Sequence, residues 1–146
     1  MQPETIFSIV NMIALVSWIV LAVGPRWIVT KKVLYSGAVP LLLAIAYAVL
    51  IAAFFATAEG GFGSLSGVMK LFTNEWAVLA GWIHYLAFDL LVGTWEVNDA
   101  QVRGISHWLV IPCLFFTFMF GPIGYLMYWA LRVLLREEVR RDQTIF

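Results

Sequence analysis

The stretch Trp76-Ala-Val-Leu-Ala80-Gly-Trp82-Ile-His84-Tyr85-Leu-Ala-Phe88-Asp89-Leu-Leu-Val-Gly-Thr-Trp95 decides what kind of chain this is. It is framed by tryptophans, and Asp89 is its one charged residue. About 20 apolar residues at 1.5 Å each cover the hydrocarbon core of a bilayer, and indole rings favour its headgroup level. Comparable runs recur, so the spans read as 5–23, 37–57, 76–95 and 108–131. The expected fold is all-α: a polytopic membrane helical bundle with four transmembrane helices, forming one integral membrane domain over residues 1–146. Composition agrees. The chain is 62% hydrophobic and 12% charged, with a mean hydropathy of +0.90, whereas soluble domains are about half apolar and a quarter charged. That excludes an ordinary cytosolic globule and a disordered chain. Nine basic residues balance nine acidic ones, which leaves no basic face for nucleic acid. Cys113 is the one cysteine; it can form no intrachain disulfide and reads as an inert buried thiol.

Working outward, the first span begins without a cationic leader, so it reads as a permanent span rather than a secretory signal. Gly24-Pro25-Arg26-Trp27 stops it, because the residue before a proline leaves the helical region and Arg26 with Trp27 suits the headgroup level. Lys31 and Lys32 complete a basic turn. Pro40 is tolerable in the first turn of span two, whose one polar tip is Tyr47. The glycine-rich segment 59–67 reads as a turn leading into a short interfacial helix over 68–72. It lacks the Lys-Ser/Thr of a phosphate loop. Asn74 is a cap for the third helix, with Glu75 in its first turn.

Between spans three and four, residues 96–107 are expected to hold a short helix capped by Asn98, with Asp99 and Arg103 paired at i,i+4 and Gly104 ending it. Ser106 then caps span four. Pro112 and Gly121-Pro122 free the carbonyls of Trp108 and Phe118 and invite kinks, and in hydrocarbon those carbonyls need partners. Four spans place Arg26, Lys31, Lys32 and Arg103 on one side, and Lys70, Arg132, Arg136, Arg140 and Arg141 on the other. Orientation is thus poorly encoded.

Candidate chemistry centres on His84, Tyr85 and Asp89. An ionised Asp within a span costs about 2.5–3.5 kcal/mol on the insertion scale, so it needs a partner or a function. Tyr85, Asp89 and Glu96 share one helix stripe; His84 points about 140° away from Asp89, so the two can flank one cavity only from different sides. Interhelical glue is the bland alternative, with such hydrogen bonds averaging about 0.6 kcal/mol in one well-studied bundle. Trp82, Phe88 and Trp18 are the aromatics expected beside an apolar ligand. Glu96, Asp99 and His107 form a second polar cluster whose ligand types suit zinc or iron. No HExxH spacing accompanies them and Asp99 already has Arg103, so a solvated loop is the better reading, and no cofactor is implied. No Ser-His-Asp arrangement or dinucleotide fingerprint appears.

On Gly24-Pro-Arg-Trp27, Ser64-Leu-Ser-Gly-Val-Met69, Trp76 to Leu90, Gly104-Ile-Ser-His107 and Gly121-Pro122, the chain resembles the abscisic-acid-deficient-four-like family of small membrane proteins. That family is known in plants as a plastid component required to form neoxanthin from violaxanthin. The resemblance implies modification or isomerisation of a carotenoid or related isoprenoid in the bilayer, without a redox cofactor. Opening an epoxide to an allene needs one proton given to oxygen and another taken from carbon, roles that Asp89 and His84 can fill. A non-catalytic carotenoid-binding or assembly subunit is the alternative, and a small transporter is disfavoured because no internal repeat appears. The expected partners are the lipid bilayer and an isoprenoid, with a homo-oligomer compatible. With no transit peptide in view, the expected location is a bacterial inner membrane, or a plastid membrane for a mature plant-type form.

Overall fold

The computed structural model describes residues 2–142, with side chains described to residue 135 apart from that of Thr57. All regular structure among the described residues is helical. The elements are α1 (Pro3–Val23), a π-helical turn (Thr30–Leu34), α2 (Ala38–Phe54) continued by a 3-10 turn (Phe55–Thr57), α3 (Leu65–Leu71), α4 (Glu75–Val102), α5 (His107–Phe120) and α6 (Pro122–Asp142).

The helix ends follow from local chemistry. Pro3 sits in the first turn of α1, where its missing N–H had no helical partner. Gly24 closes α1, its N–H reaching the Val20 carbonyl at 2.9 Å. Ser64 caps α3 by accepting from the Gly67 N–H at 3.1 Å. Asn74 caps α4 by accepting from the N–H groups of Trp76 and Ala77 at 2.9 and 3.2 Å, which satisfies two of the first-turn donors.

Helix α4 is the axis of the molecule. Its 28 residues extend about 42 Å. Helix α1 runs parallel to it: Phe7 and Trp82 pack with ring centroids 5.8 Å apart, the Trp82 indole donates to Asn11 Oδ1 at 3.0 Å, and Trp18 lies on Gly93. A Cβ at Gly93 would stand 2.4 Å from the Trp18 ring, so the absent side chain sets this crossing. Helix α2 runs antiparallel, with Phe54 stacked on Trp76 at 4.1 Å and Tyr47 against His84. Two apolar clusters lie end to end along α4. One gathers Val10, Leu43, Leu50, Leu79, Ile83 and Leu86; the other gathers Trp18, Leu21, Leu90, Val97, Val110 and Tyr128.

The single span expected over 108–131 is instead two helices. Gly121 takes φ +46°, and the chain restarts with Pro122 in the first turn of α6. Helix α5 descends antiparallel along α4 and α6 returns beside it. Gly121 sits over Asp89, while Tyr128 and Arg132 reach Asp99 near the end of α4. Pro112 stays inside a continuous α5. The hairpin closes on Gly124, where a Cβ would lie 2.0 Å from the Thr117 backbone nitrogen and 2.5 Å from the Cys113 carbonyl oxygen.

Two further expectations are corrected. Residues 96–102 continue α4, so no separate helix starts at Asn98. Ser106 holds the N-cap position of α5, but its hydroxyl makes no capping bond. Helices α1 and α4 are long and apolar enough to cross a membrane; α2, α5 and the Pro122–Leu135 part of α6 are shorter apolar helices.

Candidate functional site

Two separate groups of chemistry-bearing residues flank α4, because neighbouring residues of a helix diverge by about 100°. On the side facing α2 and α3, His84 lines a cavity of about 220 Å³. Tyr47, Phe55, Phe62 and Phe72 supply its aromatic walls. The His84 ring lies 5.6 Å from that of Tyr47 and 4.6 Å from that of Phe88. Phe72 reaches in across Gly81, where a Cβ would meet its ring at 3.0 Å. The result is an apolar chamber with one imidazole and one phenol, the usual form of a small-molecule site.

The opposite side carries Tyr85, Asp89 and Glu96, all directed at the hairpin. Pro122 has no N–H, so the Phe118 carbonyl lacks its helical partner; the Tyr85 hydroxyl donates to it at 3.0 Å. The freed carbonyl is thus satisfied within the protein. Glu96 is fully buried, and the Thr117 hydroxyl lies 2.9 and 3.1 Å from its two carboxyl oxygens. Asp89 stands between these two, with Oδ1 under Gly121 and Oδ2 buried without a hydrogen-bond partner among the described residues.

His84 and Asp89 thus lie on different sides of α4. His84 lines the aromatic chamber and Asp89 does not. Trp82 and Trp18 are dispersed as well. Trp82 borders another cavity of about 330 Å³ with Phe7, Glu4 and Glu75, while Trp18 is buried in the core against Phe118, ring centroids 5.5 Å apart. Phe88 stays beside His84 and is exposed.

Nor do Glu96, Asp99 and His107 form one cluster. Glu96 holds Thr117. Asp99 receives Arg103 Nε and the Tyr128 hydroxyl, both at 2.7 Å, with Arg132 at 3.5 Å. His107 Nε2 lies 2.7 Å from the Ala22 carbonyl oxygen. Among the described residues no three His, Cys, Asp or Glu side chains group as metal ligands.

Residues 5–128 match the ABA DEFICIENT 4-like family. The chain belongs to that family. Among curated proteins, Protein ABA DEFICIENT 4, chloroplastic, of Arabidopsis thaliana is 24% identical, over 94% of this chain and 64% of its own length. The ABA DEFICIENT 4-like chain thus spans just under two thirds of that relative. No solved structure matches it.

Sequence reasoning noted Tyr47 only as a polar tip, Tyr128 only as an aromatic near a span end and Arg132 only as a charge bearing on orientation, and it passed over Thr117. The register of α2 on α4 sets Tyr47 beside His84, which no local signal in the sequence marks, whereas Thr117 is the lone hydroxyl of its run. The position of Tyr85 gives a clean test. Tyr85→Phe strands the Phe118 carbonyl and is expected to destabilise the protein by about 1–3 kcal/mol. Tyr47→Phe, which removes a hydroxyl with no hydrogen bond among the described residues, should change unfolding in detergent far less. Equal midpoints for the two variants would show that the Tyr85 bond contributes nothing.

Proposed function

We propose that the chain is an integral membrane protein in which α1, α2 and α4 cross the bilayer and the α5–α6 hairpin enters and leaves on one side. Helix length supports this: the 14 residues of α5 reach about 21 Å, past the middle of a 30 Å hydrocarbon core but not across it. The end carrying residues 24–37 and 103–106 then holds Arg26, Lys31, Lys32, Arg103 and Arg132, against Lys70 at the other. The side chains of Arg136, Arg140 and Arg141 lie outside the described residues. Among the described side chains this imbalance replaces the even split of a four-span layout, and it supports a placement with the basic end on the side where the chain is made. Cysteines at Ser36 and Gly104 and a C-terminal tag are expected to label from that side, and a cysteine at Gly63 from the other. A C-terminal tag on the Gly63 side would restore four crossings.

Family membership and the aromatic chamber support a carotenoid or related isoprenoid as the substrate. The observation that carries the reading is His84 set beside Tyr47 within that chamber. At about 220 Å³ it is smaller than the roughly 300–1,000 Å³ of sites for drug-sized ligands, so it suits one cyclic end group of a long polyene. Neutral His84 would take the proton from the carbon flanking an epoxide while the Tyr47 phenol gives one to the oxygen. The C–O bond breaks, a new C=C bond forms, and the imidazolium returns its proton to the phenolate. The pair ends as it began, and no electrons leave the substrate. In this proposal the acid is Tyr47 rather than Asp89, because Tyr47 shares the chamber with His84.

A second reading, a non-catalytic carotenoid-binding or assembly subunit, draws support from the spending of Tyr85, Glu96 and Trp18 on packing the hairpin. Incubating the purified protein with epoxy-carotenoids and separating the pigments by chromatography tests both. Product favours the isomerase; a stable pigment complex without product favours the subunit.

A further inference from the structure

Beyond the aromatic chamber, the basic end of the molecule holds a cavity of about 500 Å³, bounded by the turn after α1 and the ends of α4 and α5. Its lining includes Arg26, Trp27, Gln101, Ser106, His107 and Trp108, and it includes no carboxylate. Arg103 and Arg132 share Asp99, whereas the guanidinium of Arg26 and the ammonium groups of Lys31 and Lys32 have no ion-pair partner in the described protein, and of these three only Arg26 lines the cavity. The turn presenting it is firmly held. The Pro25 carbonyl accepts from the Tyr35 hydroxyl at 2.6 Å and from Gln101 Nε2 at 3.3 Å, and Gly24 lies beneath the Trp27 ring. His107 is fixed by Nε2 on Ala22, and the Ser106 hydroxyl is free to donate. Trp27 and Trp108 are 54% and 81% exposed, which places two indoles at the rim, where headgroups meet hydrocarbon. A guanidinium without a carboxylate, carried on a fixed turn at a roomy cavity flanked by interfacial indoles, is the complement of a phosphate.

We propose that this cavity binds the phosphate of an anionic lipid headgroup. The inference rests on the membrane placement above but not on the carotenoid reading. The test uses the full chain in non-ionic detergent, titrated with phosphatidylglycerol, phosphatidylcholine and inorganic phosphate while tryptophan fluorescence is followed. Phosphatidylglycerol is expected to saturate and to bind at least about tenfold more tightly than phosphatidylcholine. Arg26→Gln is expected to weaken it by about tenfold, one charge-assisted contact. Lys31→Gln/Lys32→Gln, which removes two charges from the same end but none from the cavity lining, should leave it within twofold. Arg26 is exposed, so its variant is expected to unfold at the wild-type temperature, and that measurement accompanies the titration. Equal affinity for the two lipids, or equal loss in the Arg26 and lysine variants, would overturn the proposal in favour of diffuse surface charge. Displacement of the lipid by inorganic phosphate at the same concentration would overturn the lipid as source and leave a free-phosphate site. Labelling in intact membranes reads the placement itself, so its failure is distinct from a failed titration in detergent.

Discussion

His84→Gln is expected to lower turnover of an epoxy-carotenoid by roughly 10²–10⁴-fold, the usual contribution of a positioned acid or base, while pigment still copurifies. The glutamine side chain fills much of the imidazole's space and keeps a polar tip, so the chamber formed by Tyr47, Phe55, Phe62 and Phe72 should survive. Loss of binding and loss of chemistry are therefore separable, with KM moving little and kcat falling. Asp89→Asn, on the far side of α4, is expected to keep turnover near the wild-type rate. The reverse pattern, with Asp89→Asn inactive and His84→Gln active, would move the acid-base site to the tip of the hairpin. If neither substitution changes the product and both change only pigment retention, the protein is a binding subunit.

The second large effect is structural. Gly124→Ala is expected to open the α5–α6 hairpin, at a cost of about 3 kcal/mol or more. Ordinary overpacking costs about 1–3 kcal/mol because side chains can shift. Here the new methyl would meet the Thr117 backbone nitrogen at 2.0 Å and the Cys113 carbonyl oxygen at 2.5 Å, and backbone cannot swing aside. The two helices must part, which pulls Thr117 from Glu96 and leaves a buried carboxyl group unpaired. Thermal unfolding in detergent should show an early transition, accompanied by new thiol reactivity at Cys113, which is buried in the intact hairpin. An unchanged midpoint and an unreactive Cys113 would mean that the crossing has more room than the structure gives it.

Much of the architecture could be read locally. Asn74 marked the start of α4 and Gly24-Pro25 the end of α1, because caps and breakers act within a few residues; the start of α3 was misplaced, since the helix expected over 68–72 begins at Leu65 behind the Ser64 cap. The divergence of His84 from Asp89 also followed from helix geometry alone. The fold-back at Gly121 did not. A proline in an apolar run predicts a kink whether the chain continues or reverses, and the choice here is made far away: Asp99 holds Tyr128, 29 residues on in the chain, and also Arg132. The register of α2 against α4 was equally hidden, and with it the pairing of Tyr47 with His84. The polar cluster of Glu96, Asp99 and His107 was grouped by sequence proximity, but each points from a different part of the α4–α5 corner to its own partner. Sequence counts ligand types; it does not say where they converge.

The hairpin also bears on how the chain is inserted. A fourth crossing would carry the tail with Arg132, Arg136, Arg140 and Arg141 through the bilayer, against the bias that keeps basic residues beside a span on the side where the chain is made. A hairpin that turns at Gly121 sends only apolar chain and a glycine-proline tip into the lipid. Every arginine of the tail can stay in the compartment where it was synthesised. In the proposed placement, biogenesis can end with α5 and α6 partitioning together from the interface beside an already seated α4, with Asp99 waiting at its end to receive Tyr128 and Arg132.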